Sequence, residues 1–116
     1  MLESYYQYKI HYRDYIVLIR IGSFYECFDN DGLILNQIFY YKPKRIKTSL
    51  KVGFPVNNIN MVLNKLKLCN VNYIVVEEKI NDIYESADNQ YDNYECDREK
   101  VLFRFMQLER IISILE

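Results

Sequence analysis

The run Tyr15–Phe28, YIVLIRIGSFYECF, constrains this chain more than any other stretch. Ile16-Val17-Leu18-Ile19 is apolar and rich in β-branched side chains, the pattern of a strand buried on both faces. Arg20 and Ile21 carry that strand to Gly22-Ser23, a pair suited to a tight turn because glycine takes positive φ without steric cost. Phe24-Tyr25-Glu26-Cys27-Phe28 then runs back. With the two-residue period of a strand, Phe24, Glu26 and Phe28 share one face, and Tyr25 and Cys27 take the other. A carboxylate therefore sits between two phenylalanines, where unpaired burial costs on the order of several kcal/mol. Two readings stay open. Either Glu26 is neutralised by Arg20 or a lysine, or the face is open and Phe24 and Glu26 meet a ligand.

At 116 residues the chain is sized for one domain with a real core. Twelve tyrosines and six phenylalanines against three glycines and two prolines favour long regular elements over elaborate loops. No run approaches the ~18 to 20 apolar residues of a membrane span, and the amino terminus lacks the basic-then-apolar order of a signal peptide. Cys27, Cys69 and Cys96 are far apart and, with His11 as the one histidine, make no zinc-site spacing. The expectation is a cytoplasmic protein with reduced thiols, no metal and no cofactor. No nucleophile–base or carboxylate pair stands out, so catalysis is not expected either.

Net charge is −1, which argues against strong non-specific binding to nucleic acid. The distribution says more. Lys42, Lys44, Arg45, Lys47, Lys51, Lys65 and Lys67 follow one another with no intervening acid. Glu77, Glu78, Asp82, Glu85, Asp88, Asp92, Glu95, Asp97 and Glu99 then meet Lys79 and Arg98 alone. A basic middle and an acidic later segment fit a side that faces a polyanion, although solvated loops produce the same asymmetry.

Leu2 to Tyr12 fits a helix with Leu2, Tyr5, Tyr6 and Ile10 as its apolar stripe. Asp29-Asn30-Asp31-Gly32 reads as a turn and helix start, with either aspartate as N-cap. Leu33 to Tyr41 follows as a helix that turns Ile34, Leu35, Ile38 and Phe39 inward and ends at Pro43. Lys44 to Lys51 reads as a short basic strand, and Val52 to Val56 as a bend. A second helix, capped by Asn57 or Asn58, carries Ile59, Val62, Leu63, Leu66 and Leu68. Tyr73 to Glu77 is a second buried strand. This order of elements predicts an α/β (α+β) domain, a mixed β-sheet flanked by helices, over residues 1–80. Residues 81–96 read as an acidic loop or arm. Residues 97–116 read as an extra C-terminal helix whose apolar seam runs through Val101, Phe105, Leu108, Ile112 and Leu115. That helix either packs on the domain or self-associates.

Tyr5-Tyr6-x-Tyr-Lys, a polar gap and then IVLIRIGSFYECF resemble the amino-terminal mismatch-recognition domain of the MutS DNA mismatch-repair family. Its strand has the form L-F-R-x-G-D-F-Y-E-x-F. Lys51-Val52-Gly53-Phe54-Pro55, the helix after it and the strand Tyr73–Glu78 resemble the family's A-G-x-P-x-H, helix and V-A-x-x-E-Q segment in order and distance. The resemblance spans residues 2–78, about two thirds of the chain. It implies a mismatch-repair module of bacterial type that binds mismatched or distorted double-stranded DNA. In the family the phenylalanine of F-x-E wedges beside a mismatched base from the minor groove, and the glutamate hydrogen-bonds that base. Those roles fall on Phe24 and Glu26, with Lys42, Lys44, Arg45, Lys47 and Lys51 as phosphate contacts.

The departures are Ser23 where the family has aspartate, Val56-Asn57 in place of an aromatic and histidine, and Pro43 before Lys44-Arg45. No G-x-x-x-x-G-K-[ST] phosphate loop occurs in the sequence, so the expectation is a stand-alone reader without ATPase activity. The alternative is a non-catalytic interaction module that kept the fold and binds a second copy or a repair protein through 97–116.

Overall fold

Helix α1 (Leu2–His11) leads into strand β1 (Ile16–Ile21), which turns at Gly22 and returns as β2 (Phe24–Phe28). Helix α2 (Asp29–Phe39), the hairpin β3 (Lys44–Ile46) and β4 (Ser49–Pro55), helix α3 (Ile59–Leu68), β5 (Tyr73–Glu77) and β6 (Lys79–Tyr84) complete the order. The structure, a computed structural model, describes residues 2–94. Its six strands form one mixed sheet in the order β3-β4-β2-β1-β5-β6. β1 and β5 pair in parallel, and the other described pairs are antiparallel. The mixed sheet flanked by helices expected from the sequence is present.

The two central strands are the most apolar because both of their faces are covered. Ile16, Val17 and Leu18 in β1 and Tyr73 to Val76 in β5 are all buried. α1 lies on the Phe28 side, where the Tyr5 and Phe28 rings meet edge to face at 4.9 Å. α2 lies on the opposite side, where Gly32 approaches Val52 so closely that a Cβ would come within 3.0 Å of it. On that same side Tyr84 donates to the Lys67 carbonyl near the end of α3.

Several local expectations are corrected. Among the residues of α1 whose burial is described, the buried one is Tyr5, while Ile10 is 69 % exposed and Tyr6 half-exposed. The core selects Tyr5 because its hydroxyl meets a buried carboxylate below the helix. Neither Asp29 nor Asp31 caps α2, whose N-cap position is Phe28 with no side-chain cap. Asp29 instead accepts from the Leu50 amide at 3.1 Å and from the Tyr6 hydroxyl. α2 stops at Phe39, with Tyr40 in the left-handed region at φ 63°, before Pro43 is reached. Lys44 to Pro55 is a hairpin turning at Lys47-Thr48, not one strand and a bend. Leu50, Val52 and Phe54 alternate into the core, and that alternation carries β4 straight through Gly53. In α3 neither asparagine caps through its side chain, and Leu68 is 80 % exposed at the helix end.

The polar stretch after Glu78, expected to be a loop, is strand β6 as far as Tyr84. It pairs with β5 and so satisfies an edge that would otherwise lie open. The following residues are tied down rather than loose. Asn89 accepts from the Asn72 amide at 3.0 Å and donates to the Asp14 carbonyl at 2.8 Å, and Tyr91 joins the core. The C-terminal helix expected over 97–116 lies outside the described residues.

One buried polar group ties these elements together. Asp31 is fully buried. Its Oδ1 accepts from Lys9 Nζ at 2.9 Å and the Tyr91 hydroxyl at 2.6 Å, and its Oδ2 from the Val17 amide at 3.1 Å and the Tyr5 hydroxyl. Val17 lies past the last β1–β2 register pair, Ile19–Glu26, so the carboxylate serves a strand amide that β2 no longer reaches. Burial pushes the Asp31 carboxyl up from its ordinary value, although Lys9 and the two hydroxyls pull it back. Asp31→Ala removes the carboxylate acceptor shared by two hydroxyls, an amide and an ammonium. The expected loss is about 3–5 kcal/mol, the usual result of breaking a buried pair from one side, read as a lower urea midpoint at unchanged m-value.

Alkaline pH tests the same packing. Burial raises the hydroxyls of Tyr5, Tyr25 and Tyr73, and burial with the Glu85 hydrogen bond lifts Tyr15 to about 12. A phenol whose folded pKa exceeds its unfolded value contributes stability fully below the unfolded pKa, near 10, and loses it as pH rises through the folded value. Tyrosinate absorbance is therefore expected to lag free tyrosine and then rise cooperatively with unfolding above about pH 10. A smooth titration of all the tyrosines at their ordinary pKa would contradict this.

Candidate nucleic-acid interface

Gly22, at φ 61°, and Ser23 close the two-residue connection between β1 and β2. The Ser23 carbonyl accepts from the Val56 amide at 2.9 Å, which pins the turn to the far end of β4. Phe24 leaves the turn opposite Ile21 and Pro55 and is 48 % exposed. Two residues on, Glu26 faces Ile19 on one side and Gly53 on the other. Phe28, at the end of the same face, is buried under α1. The face is thus covered at Phe28 and open at Phe24, with Glu26 between.

Glu26 is paired, and its partner is Lys51: Nζ lies 3.0 Å from Oε2. Arg20 is on the wrong face to serve it. Its register partner is Tyr25, on the opposite side of β2 from Glu26, and its guanidinium pairs instead with Glu77 at 3.3 Å. Glu77 also accepts from the Tyr25 hydroxyl and from Asn81 at 2.8 Å. The Tyr25 hydrogen bond, followed by Arg20, holds the Glu77 carboxyl below its ordinary value. This cluster fastens β2 to β5 from behind and leaves the Phe24–Glu26 face free of it.

Gly53 is the residue that sequence reasoning passed over. A Cβ there would lie 3.4 Å from Glu26 Cγ and 3.6 Å from Oε2. Its missing side chain is the space through which Glu26 reaches Lys51. A glycine inside an alternating strand is the available signal for such a close approach.

The expected basic contacts divide. Lys44 is the register partner of Lys51, so the two share the face of Phe24 and Glu26, and Lys44 is exposed. Arg45 pairs with Leu50, which puts it on the opposite face, where its Nε donates to the Lys47 carbonyl at 3.4 Å. Lys47 sits at the hairpin tip with φ 54°. Lys42 is exposed just before β3. The structure pairs Glu26 with Lys51, puts Lys44 on the same face at the Phe28 end of β2 and Phe24 at the other end, sets Lys42 and Lys47 at the margin, and separates Arg45.

No group of three or more histidine, cysteine, aspartate or glutamate side chains is placed to hold a metal ion among the described residues. No helix there is long and apolar enough to cross a membrane.

Comparison with known proteins gives one family. The model of MutS domain I matches residues 1–98. The DNA mismatch repair protein MutS of Thermotoga petrophila, and that of Thermotoga maritima, are each 33 % identical over 66 residues, 57 % of this chain. MutS of Fervidobacterium nodosum is 32 % identical over the same length. The matched region is 8 % of each of these relatives, so the chain spans a small part of their length.

The geometry separates the two phenylalanines energetically. Phe28→Ala empties a packed site and is expected to cost about 3–5 kcal/mol, whereas half-exposed Phe24→Ala is expected to cost under about 1 kcal/mol. Equal losses in urea melts would show that Phe24 is a core residue.

Proposed function

The chain belongs to the MutS domain I family, and from that premise we propose that it binds double-stranded DNA at mismatched or distorted sites. The observation that carries this reading is the exposed Phe24 on the same strand face as Glu26, with Lys51 paired to Glu26 and Lys44 further along that face. A half-exposed aromatic at a strand start gains little by staying in water, and it stands where a base step can receive it.

Magnitudes favour a distorted site over an intact one. Wedging a side chain between base steps costs a few kcal/mol of unstacking. Stacking on an aromatic ring returns about 1–3 kcal/mol per base. At a matched pair the two nearly cancel. At a mismatched or unpaired base, where unstacking costs less, the balance favours insertion. Glu26 adds selectivity because a carboxylate oxygen only accepts, and so gains only where a base donates a hydrogen bond to it.

Lys44, exposed on the same sheet face at the Phe28 end, has no carboxylate partner among the described residues, and Lys42 and Lys47 flank it. Three to five phosphate contacts support only weak, salt-sensitive binding, about 10⁻⁴ to 10⁻⁶ M. No catalytic or ATP-dependent step is assigned to these residues. A second copy or a repair protein bound through 97–116 is compatible with this role, since linked readers gain affinity through effective concentration.

Fluorescence anisotropy of a heteroduplex and its matched homoduplex at low salt tests the reading. The parent chain is expected to prefer the heteroduplex, and Phe24→Ala to bind both duplexes equally. Lys44→Ala is expected to weaken both alike and to lower the salt slope by about 0.9. A Phe24→Ala variant with the parent's preference would refute the wedge.

A further inference from the structure

The two faces of the sheet are unequally covered. α2 and α3 lie on one side, and α1 is the one described helix on the other. α1 packs over the Phe28 end of β2, so the part of that face formed by β1, β5 and β6 extends beyond it. There a groove of about 640 Å³ separates Tyr8, Ile10 and His11 of α1 from Ile19, Val76 and Glu78. The register carries the same face on to Ile80, opposite Val76, and to Ile83, opposite Ile74. Ile10 is 69 % exposed and Ile83 is 50 % exposed. An apolar sheet face of this kind is stable when another element packs on it.

The sequence holds an occupant. The described residues end at Tyr94, and the sequence continues to Glu116. In that stretch Val101, Phe105, Leu108, Ile112 and Leu115 recur at helical spacing, and Leu102 and Ile111 widen the stripe. A coiled-coil seam is narrower; a stripe this broad suits a sheet and a neighbouring helix together. The point of departure also fits. The Tyr94 amide donates to the Tyr91 carbonyl at 3.4 Å, and Lys9, next to Ile10 in α1, donates to the Tyr91 hydroxyl at 3.5 Å. From Tyr94 to Val101 the chain spans up to about 23 Å when extended. α1, with its 10 residues, is only about 15 Å long, so that span is enough to round its end.

We propose that residues 97–116 pack as a helix in this groove, beside α1 and over Ile19, Val76, Ile80 and Ile83. The α1 side of the sheet then carries two helices, as the other side does. The docked segment borders the exposed end of β2, because Ile19 is the register partner of Glu26. Its apolar stripe is then occupied within the chain, and pairing with a second copy through that stripe requires undocking. This packing is independent of any contact with DNA.

The test uses the 116-residue chain with Cys69→Ser and Cys96→Ser, leaving Cys27, which is fully buried. Ile10→Cys with Leu108→Cys is compared with Met61→Cys with Leu108→Cys, since Met61 is exposed on α3 across the sheet. A short bismaleimide is added to dilute protein, and the products are read by denaturing gel and mass. The Ile10 pair is expected to give about tenfold more intramolecular cross-link than the Met61 pair, because docking raises the effective concentration of one thiol near the other. Equal yields overturn the proposal, and cross-linked dimers as the main product overturn it in favour of a second copy in the groove. Urea melts of Ile10→Gln, Leu108→Gln and the double variant give an independent reading. On an open surface Ile10→Gln is close to neutral. Beneath a docked segment each single change is expected to lower the urea midpoint, and the double variant to fall little further than either. An unchanged midpoint for Ile10→Gln, or two losses that simply add, overturns the docking.

Discussion

The fold depends on the buried carboxylate of Asp31. Four donors from three separate parts of the chain converge on it: Tyr5 and Lys9 from α1, Val17 from β1 and Tyr91 from the segment after β6. A charge in that position is costly alone and tolerable only when every donor is in place. The network therefore acts as an all-or-none latch. It fixes α1 over the sheet, holds α2 under the end of β2, and draws residues 89–91 back to the body of the domain. The Lys9 ammonium also lies 5.0 Å over the Tyr91 ring and donates to the Tyr15 carbonyl at 2.6 Å, so the cation itself is held from several sides.

The exposed end of β2 is a by-product of how that latch covers the sheet. α1 shields Phe28 and stops short of Phe24, and the α2 and α3 helices occupy the opposite side. One strand thus passes from core to surface within five residues. The hydrogen bonds behind it, from Tyr25, Arg20 and Asn81 to Glu77, stiffen β2 without touching the open face. The stacking role proposed for Phe24 would gain from such support.

Much of this was legible in the residues. The apolar run of β1, the Gly22-Ser23 turn, the alternation of β2 and the helix stripe of α3 all follow from local periodicity, which depends only on near neighbours in the chain. Less legible were β4 and β6. Gly53 and Pro55 disguise a strand as a bend, and the polar sequence of β6 disguises an edge strand as a loop. In both cases cross-strand pairing overrode local propensity, because pairing satisfies backbone groups whatever the side chains are. Asp29 and Asp31 misled for a related reason. Their type and spacing fit helix caps, yet tertiary donors claimed both carboxylates.

The sequence by itself determined which residues share a face. Alternation in β2 fixes Phe24 and Glu26 together and Tyr25 apart, because side chains in a strand alternate whatever surrounds them. Tertiary structure alone decided what Glu26 meets there. Arg20 is nearest in the chain but lies on the other face, and Lys51 is distant in sequence but one diagonal away across β4. Charge partners are chosen by strand register, which is set by long-range pairing and core packing rather than by any local pattern. The same register placed a side-chain-free residue, Gly53, opposite the carboxylate and so gave it room to reach its cation.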